Sequence, residues 1–101
     1  SKILVQSIIN IGISGTMELD LQLYKDVGGG GYSAVSNSGI TQNRITTTNS
    51  SESMLFLDSP STTSAVSFKV YYKVSANTVY INYTYSGDSV GSSIILMEVG
   101  A

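Results

Sequence analysis

The feature that most constrains the fold is a strict alternation of side-chain types over residues 66–74. Every second residue is apolar or aromatic, and the residues between them are polar except for one tyrosine. Successive side chains of a β-strand point to opposite faces, so this period of two predicts a half-buried strand. The first set is Val66, Phe68, Val70, Tyr72 and Val74, and the second is Ser67, Lys69, Tyr71 and Lys73.

The first quarter of the chain shows the same alternation twice. Residues 2–13 predict a strand that ends before Gly15, and residues 16–25 predict another. The core face of the first strand is predicted to carry Ile3, Val5, Ile9, Ile11 and Ile13. In the second strand, the inward residues are Met17, Leu19, Leu21 and Leu23, and the outward ones are Glu18, Asp20, Gln22 and Tyr24.

The middle of the chain is more polar and its strands are shorter. Residues 28–31 are four glycines, for which we expect a flexible loop rather than a phosphate-binding loop, because no Lys-Ser/Thr pair or helix start follows. Short strands are predicted at 32–36 and 43–48, with turns at 37–39 and 49–52.

The last half of the chain has the clearest strand boundaries. A short apolar strand at 53–57 is stopped by Asp58-Ser-Pro60, because proline lacks the N–H that a central strand needs. Residues 65–85 predict a hairpin with a tight connection at Ala76-Asn77. A loop at 86–92 and a closing strand at 93–99 follow.

These signals predict an all-β protein. Seven or eight short strands without helical spacing, in a chain of 101 residues, are typical of an antiparallel β-sandwich. We expect a single domain over residues 1–101. The chain opens Ser-Lys-Ile-Leu-Val without Met, from which we expect it to be part of a longer protein.

Composition narrows the function classes. Five basic residues and a net charge of −2 disfavour nucleic acid, which requires clustered Lys and Arg. The chain has no Cys and no His, which excludes disulfides and thiolate metal sites and removes the commonest metal ligand. The acidic residues lack the spacing of a calcium loop, so no metal set within one chain and no cofactor are expected, and an ion held by three copies on a trimer axis stays open. No run of about 18 apolar residues is present, so no membrane insertion is expected.

A charged fraction of only 12% suits neutral ligands such as sugars, or a surface that is buried by oligomerisation. A second apolar set is predicted on the opposite side of otherwise core-facing strands, which indicates that a neighbouring subunit covers it. That set is Leu4, Ile8, Ile94 and Leu96.

Several segments carry a resemblance to a known group of viral domains. They are residues 1–5 (Ser-Lys-Ile-Leu-Val), 21–26 (Leu-Gln-Leu-Tyr-Lys-Asp), 57–71 with its Asp-Ser-Pro turn, 78–82 (Thr-Val-Tyr-Ile-Asn) and 92–99 with its Leu-Met-Glu ending. In this order they resemble the small C-terminal β-domains of bacteriophage tail fibres and other virion appendages. Residues 28–48 match least.

The resemblance implies a homotrimeric jelly-roll head at the C-terminal end of a fibre protein. It implies host attachment as the function and the virion, on a tail fibre or other surface appendage, as the location. The implied partners are other copies of the chain, other virion proteins, and a host cell-surface glycan or protein. The alternative from a different class is a structural virion protein, such as a capsid decoration or fibre-assembly module without a ligand.

Candidate binding residues lie mainly on loops, where recognition positions concentrate. We expect ligand contacts from Gly30, Gly31, Tyr32 and Asp88, and from Tyr71 on an outward strand face. Outward tyrosines, which also include Tyr24 and Tyr80, suit carbohydrate because a ring covers apolar sugar faces while the hydroxyl bonds a sugar hydroxyl. Cross-strand packing and subunit burial are the structural alternatives. Tyr83 and Tyr85 are predicted in the core.

One pair of carboxylates has the spacing of a catalytic pair. Glu18 and Asp20 are predicted on the same face of one strand, roughly 7 Å apart, a separation found in inverting glycosidases. The competing interpretation is the solvated outer face of an edge strand. Because no aromatic residue is predicted beside the pair and the chain lacks His, we expect the protein not to be an enzyme.

Overall fold

A computed structural model describes residues 2–36, 38, 40–46, 49–82 and 91–100. These residues form strands and no helix, so the all-β prediction is confirmed. The strands are β1 (Lys2–Ile13), β2 (Met17–Val27), β3 (Tyr32–Ala34), β4 (Ile40–Ile45), β5 (Asn49–Asp58), β6 (Val66–Val74), β7 (Val79–Ile81) and β8 (Ser93–Val99).

The strands form two four-stranded sheets, each built around one long strand from the start of the chain. In sheet A, β1 pairs with β5 on one edge and with β7 and β8, placed end to end, on the other. In sheet B, β2 pairs with β6 on one edge and with β3 and β4 on the other. All of these pairings are antiparallel, as predicted.

The core is made by the inward faces of the two long central strands. All four inward residues predicted for β2 are buried, and the predicted face of β1 contributes Val5 and Ile11 fully and the rest partly. The alternation predicted for residues 66–74 is also present, although the inward residues of β6 are partly rather than fully buried and Tyr72 is 54% exposed. The buried apolar set is Val5, Ile11, Met17, Leu19, Leu21, Leu23, Val35, Ile45 and Met54.

The predicted hairpin over residues 65–85 is wrong. Strand β6 pairs with β2 in sheet B, whereas β7 pairs with β1 in sheet A. The connection at Ala76-Asn77 is therefore a crossing between sheets, and Asn77 takes a left-handed φ of 62° there. Alternation shows which side chains share a face, but it does not show which strand is the partner.

The predicted turn at residues 49–52 is also wrong, because this polar segment is the first part of β5. Ten consecutive pairs join β1 to β5, from Ile3 opposite Asp58 to Gly12 opposite Asn49. The long apolar partner extends the strand across residues whose own propensity favours a turn. The stop at Asp58 is confirmed.

Other boundaries are closer to expectation. Strand β3 is shorter than the predicted 32–36, and β4 begins three residues before the predicted 43–48. The closing strand at 93–99 is confirmed as β8. The predicted turn at 37–39 and loop at 86–92 fall largely outside the described residues.

Two crossings between the sheets lie side by side and hydrogen bond to each other. The Ser14 N–H donates to the Thr78 carbonyl at 3.0 Å, and the Thr78 N–H donates to Ser14 Oγ at 2.9 Å. Asn77 Nδ2 donates to the Thr16 carbonyl at 2.8 Å. These bonds connect the β1–β2 and β6–β7 connections at one end of the molecule.

Strand β8 is exposed along its whole length and carries apolar side chains on both faces. The sequence placed Ile94 and Leu96 on the same face as Leu4 and Ile8, and that assignment is wrong. In the register, Leu96 is opposite Val5 and Ile94 is opposite Ser7, so both share the core-side face of sheet A. No helix among the described residues has the length and apolar character to cross a membrane.

Candidate binding surface

The outer face of sheet B brings together two of the tyrosines singled out from the sequence. Tyr24 on β2 and Tyr71 on β6 stack with ring centroids 4.0 Å apart and planes 10° from parallel. Gln22 is the register partner of Tyr71, so the two rings meet diagonally across the β2–β6 pair. Tyr71 remains 43% exposed, and its packing against Tyr24 therefore leaves a large part of the ring open to solvent.

A third tyrosine joins this surface from the opposite edge of β2. Tyr32 opens β3 and is opposite Asp26, while Lys69 on β6 is opposite Tyr24. The Lys69 ammonium lies 4.3 Å from the centroid of the Tyr32 ring, a cation–π contact that reaches across β2. We call Tyr24, Tyr32, Tyr71 and Lys69 the tyrosine surface.

Three strands therefore supply the four side chains of the tyrosine surface. Each lies on the outward face of its strand because of the period-two alternation. The pairing of β2 with both β3 and β6 then places them side by side. Lys69 was not predicted as a site residue, although its alternation with Tyr71 places both on one face in the sequence.

The glycine-rich loop borders the tyrosine surface and is fixed by backbone contacts. The Gly31 N–H donates to Asp26 Oδ1 at 3.2 Å, and the Gly28 N–H donates to the Ala65 carbonyl at 2.8 Å. Gly28, Gly29 and Gly31 have positive φ values of 66°, 82° and 108°. Such angles favour glycine, so the turn that presents Tyr32 requires glycine at these three positions.

Gln22, the polar residue beside Tyr71, already forms hydrogen bonds within the chain. Gln22 Nε2 donates to the Val35 carbonyl at 2.8 Å and to Ser38 Oγ at 2.9 Å. Ser38 Oγ in turn donates to the Val35 carbonyl at 2.7 Å. These bonds hold the segment after β3 against β2, so the edge of the surface is ordered by the protein itself.

The remaining predicted contacts are not part of this group. Tyr80 lies on sheet A, opposite Gly12, and is 44% exposed. Asp88 lies outside the described residues, as do Tyr83 and Tyr85, which were predicted in the core. Of the five predicted binding residues, Gly30, Gly31, Tyr32 and Tyr71 are therefore on or beside one surface.

The carboxylates Glu18 and Asp20 occupy the outer face of the same sheet, away from any edge. Strand β2 is the central strand of sheet B, so the interpretation as an edge strand is wrong. Their register partners are cationic: Arg44 is opposite Glu18 and Lys73 is opposite Asp20. Cross-strand pairs of opposite charge stabilise a sheet face. Asp20 is nevertheless only partly exposed, and its Oδ1 is buried without a hydrogen-bond partner among the described residues.

The described residues contain no group of three or more carboxylates that could hold a metal ion. Two concavities are also present among the described residues, and the lining of the second includes Lys69 and Tyr71 of the tyrosine surface. One of about 760 Å³ is lined by the loop at 60–64 together with Ile3, Val66 and Glu98. The other, of about 410 Å³, is an apolar cleft between β6 and β8 that includes Phe68, Tyr72 and Ile94.

Comparisons with family models, curated proteins and solved structures gave no match to this chain. Its function is therefore inferred from its own residues and their arrangement.

Proposed function

We propose that this chain is the receptor-binding head of a viral fibre, which attaches the virion to a host surface by a non-enzymatic contact. In this proposal the head is a homotrimer of jelly-roll type, and the tyrosine surface contacts a host glycan. The observation that carries the proposal is the assembly of Tyr24, Tyr32 and Tyr71 with Lys69 from three separate strands.

The chemistry of the tyrosine surface fits a neutral or weakly acidic sugar. A tyrosine ring covers the apolar face of a sugar ring, and its hydroxyl exchanges hydrogen bonds with sugar hydroxyls. The Lys69 ammonium supplies further donors, and its position over Tyr32 holds it near the rings. The low charged fraction of the chain, 12%, is in line with a neutral ligand.

The preformed geometry supports binding rather than only packing. Tyr71 is held by its stack with Tyr24, so little side-chain entropy remains to be lost when a ligand binds. The neighbouring loop is fixed at Gly28 and Gly31 by hydrogen bonds. A rigid strand platform beside a fixed loop is a common arrangement for recognition sites.

The experiment compares Tyr71→Ala with Tyr80→Ala. The two tyrosines are exposed to nearly the same extent, 43% and 44%, but lie on different sheets. Binding of the purified protein to host cells and to a panel of host-surface glycans should fall at least tenfold for Tyr71→Ala only. If circular dichroism shows that both variants are folded and they bind equally well, the tyrosine surface does not contact the ligand.

A structural virion protein without a ligand is the second candidate, and one observation favours it. The outer face of sheet A is apolar and exposed at Leu55 and Leu57, as expected of a surface that packs against other virion components. Shortening residues 28–31 separates the two candidates. Adsorption should be lost for a receptor-binding head and kept for a decoration or assembly module.

A further inference from the structure

The one charged residue of β8 lies on the face of the strand that points to the core. Ile94, Leu96 and Glu98 alternate along β8, and the register places Glu98 opposite Ile3 on the core side of sheet A. Charged side chains normally occupy the solvated face of a strand and apolar side chains the inner face. Glu98 departs from this pattern and still remains exposed, because it faces a concavity rather than packed core.

Two carboxylates flank Ile3 in one row of sheet A, and only one of them has a cation. Asp58 on β5 is opposite Ile3 on one side, and Glu98 on β8 is opposite it on the other. Asp58 accepts hydrogen bonds from Lys25 Nζ at 3.1 and 3.2 Å. Among the described residues, no ion pair or hydrogen bond joins the Glu98 carboxylate to the protein. The core side of this row, in the described part of the chain, therefore carries one negative charge without a cation.

Glu98 borders the concavity of about 760 Å³ at this end of the molecule. The apolar part of its lining includes Ile3 and Val66, and the polar part includes the loop at 60–64, which connects β5 of sheet A to β6 of sheet B. Sites for small molecules in proteins commonly have volumes of roughly 300–1,000 Å³. None of the four residues of the tyrosine surface lines this concavity, so it is a separate candidate site.

Four consecutive hydroxyl residues at positions 61–64 line the concavity beside Glu98. The Ser64 N–H donates to Thr62 Oγ1 at 3.0 Å, so a local bond helps to fix the loop. The hydroxyls of Ser61 and Thr63 form no hydrogen bond with another residue in the described part of the chain. They are therefore free to bond a ligand, as donors or as acceptors.

The composition of the lining favours a cationic ligand. A carboxylate only accepts hydrogen bonds, and the lining contains neither lysine nor arginine. An ammonium group brings a positive charge and three donors, so it can pair with Glu98 and bond hydroxyl oxygens at the same time. Hydrogen bonds between charged groups are stronger than those between neutral groups. An anion would be repelled by Glu98, and the described residues hold no group of three carboxylates for a metal ion.

We propose that this concavity is a binding site for a primary ammonium group carried on an aliphatic stem. Glu98 pairs with the ammonium group, the hydroxyls of residues 61–64 accept its remaining hydrogens, and Ile3 and Val66 contact the stem. A free aliphatic amine and the lysine side chain of a peptide share this chemistry. The inference goes beyond the proposed function and does not rest on it, because the site needs neither a glycan nor assembly.

The test is an NMR titration that follows the backbone amide signals of the wild-type chain. The probes are the diamine cadaverine, lysine with both backbone ends blocked, and pentanediol as a neutral analogue of cadaverine. The two amines should shift the signals of residues 61–64 and 98 in a saturable way, and pentanediol should not. Tighter binding of cadaverine would identify a free amine as the ligand, and tighter binding of blocked lysine would identify a peptide.

A pair of matched variants tests the role of Glu98. Glu98→Gln keeps the shape of the side chain and removes its charge, so the dissociation constant for the amines should rise at least about fivefold, as expected for the loss of a charged hydrogen bond. Glu18→Gln removes the same charge from the exposed outer face of sheet B and should leave binding unchanged. The amide spectrum of each variant shows directly that it is folded.

Three results would overturn the inference. Binding of pentanediol as tight as that of cadaverine would mean that the ammonium group is not recognised. Equal weakening by Glu98→Gln and Glu18→Gln would reduce the effect to the general attraction of an acidic protein for cations. If neither amine shifts the signals of residues 61–64 and 98, Glu98 serves only as an inward charge that discourages pairing at the exposed edge of β8.

Discussion

Lys25 on β2 donates hydrogen bonds to both carboxylate oxygens of Asp58 on β5, at 3.1 and 3.2 Å. The pair joins sheet B to sheet A at the end of the core. Lys25 follows Met17, Leu19, Leu21 and Leu23 in the inward register of β2, so its charge enters the space between the sheets. The Asp58 side chain is only 8% exposed and that of Lys25 is 22% exposed.

We predict that the two halves of this ion pair contribute unequally to stability. Lys25→Met leaves a buried carboxylate without its cation and should reduce the free energy of unfolding by about 3 kcal/mol. Asp58→Asn keeps an acceptor, and the more exposed lysine can still reach water, so the loss should be about 1–2 kcal/mol. Urea unfolding followed by circular dichroism measures both values.

The double variant Lys25→Met with Asp58→Leu is the matched control. Since it replaces the pair by apolar groups, it should be more stable than Lys25→Met alone. Equal losses for the two single variants would contradict the asymmetry, and losses that are both close to zero would indicate that both groups are effectively solvated.

Much of the fold could be predicted from the sequence, because alternation is a property of each strand by itself. The inward residues of β2 and the stop at Asp58 follow from local patterns, and both are confirmed. Pairing could not be predicted in the same way. Residues 65–85 have the pattern of a hairpin, but β6 and β7 belong to different sheets. The sheet that β6 or β7 joins depends on which of the two long strands, β1 or β2, it pairs with, and local alternation does not encode that pairing.

We predict that Gly15 is required by a close approach between the two crossings. A Cβ atom at residue 15 would lie 2.8 Å from Asn77 Nδ2, which donates to the Thr16 carbonyl. Gly15→Ala should therefore displace Asn77 and reduce the free energy of unfolding by about 1–3 kcal/mol. Thermal or urea unfolding of the purified variant gives the value.

A double-mutant cycle with Asn77→Gly identifies the cause. Glycine tolerates the left-handed backbone at residue 77 and removes the side chain that a new Cβ would meet. Gly15→Ala should cost at least 1 kcal/mol less in the Asn77→Gly background. Additive losses in the cycle would mean that the clash is not the source of the effect.

The candidate site was only partly visible in the sequence. Outward positions for Tyr24 and Tyr71 follow from alternation, but their stack depends on the pairing and register of β2 and β6. Likewise, Tyr32 was singled out for its glycine-rich loop, and its contact with Lys69 arises from two strands on opposite edges of β2. Long-range pairing, rather than local chemistry, brings these residues together.

We predict that Tyr71→Phe separates packing from ligand binding. Phenylalanine keeps the ring that stacks on Tyr24, so the free energy of unfolding should change by less than about 0.5 kcal/mol. Loss of the hydroxyl should weaken glycan binding about five- to tenfold, as expected for one hydrogen bond. Tyr71→Ala should lose binding and also about 1 kcal/mol of stability. Unchanged glycan binding by Tyr71→Phe would exclude a hydrogen bond from the hydroxyl to the glycan, and unchanged binding by Tyr71→Ala would assign Tyr71 to packing alone.

Leu55→Glu tests whether the outer face of sheet A is buried between copies without disturbing the core. Leu55 is 67% exposed in the single chain, so a charge there should change the stability of the monomer by no more than about 0.5 kcal/mol. In an assembly that covers this face, the same charge would be desolvated without a partner, and the assembly should dissociate. Light scattering at micromolar concentration should give the monomer mass for Leu55→Glu and the oligomer mass for Ser67→Glu, a control on the outer face of sheet B. An oligomer that survives Leu55→Glu would place the interface elsewhere, because a buried carboxylate without a partner strongly destabilises a contact.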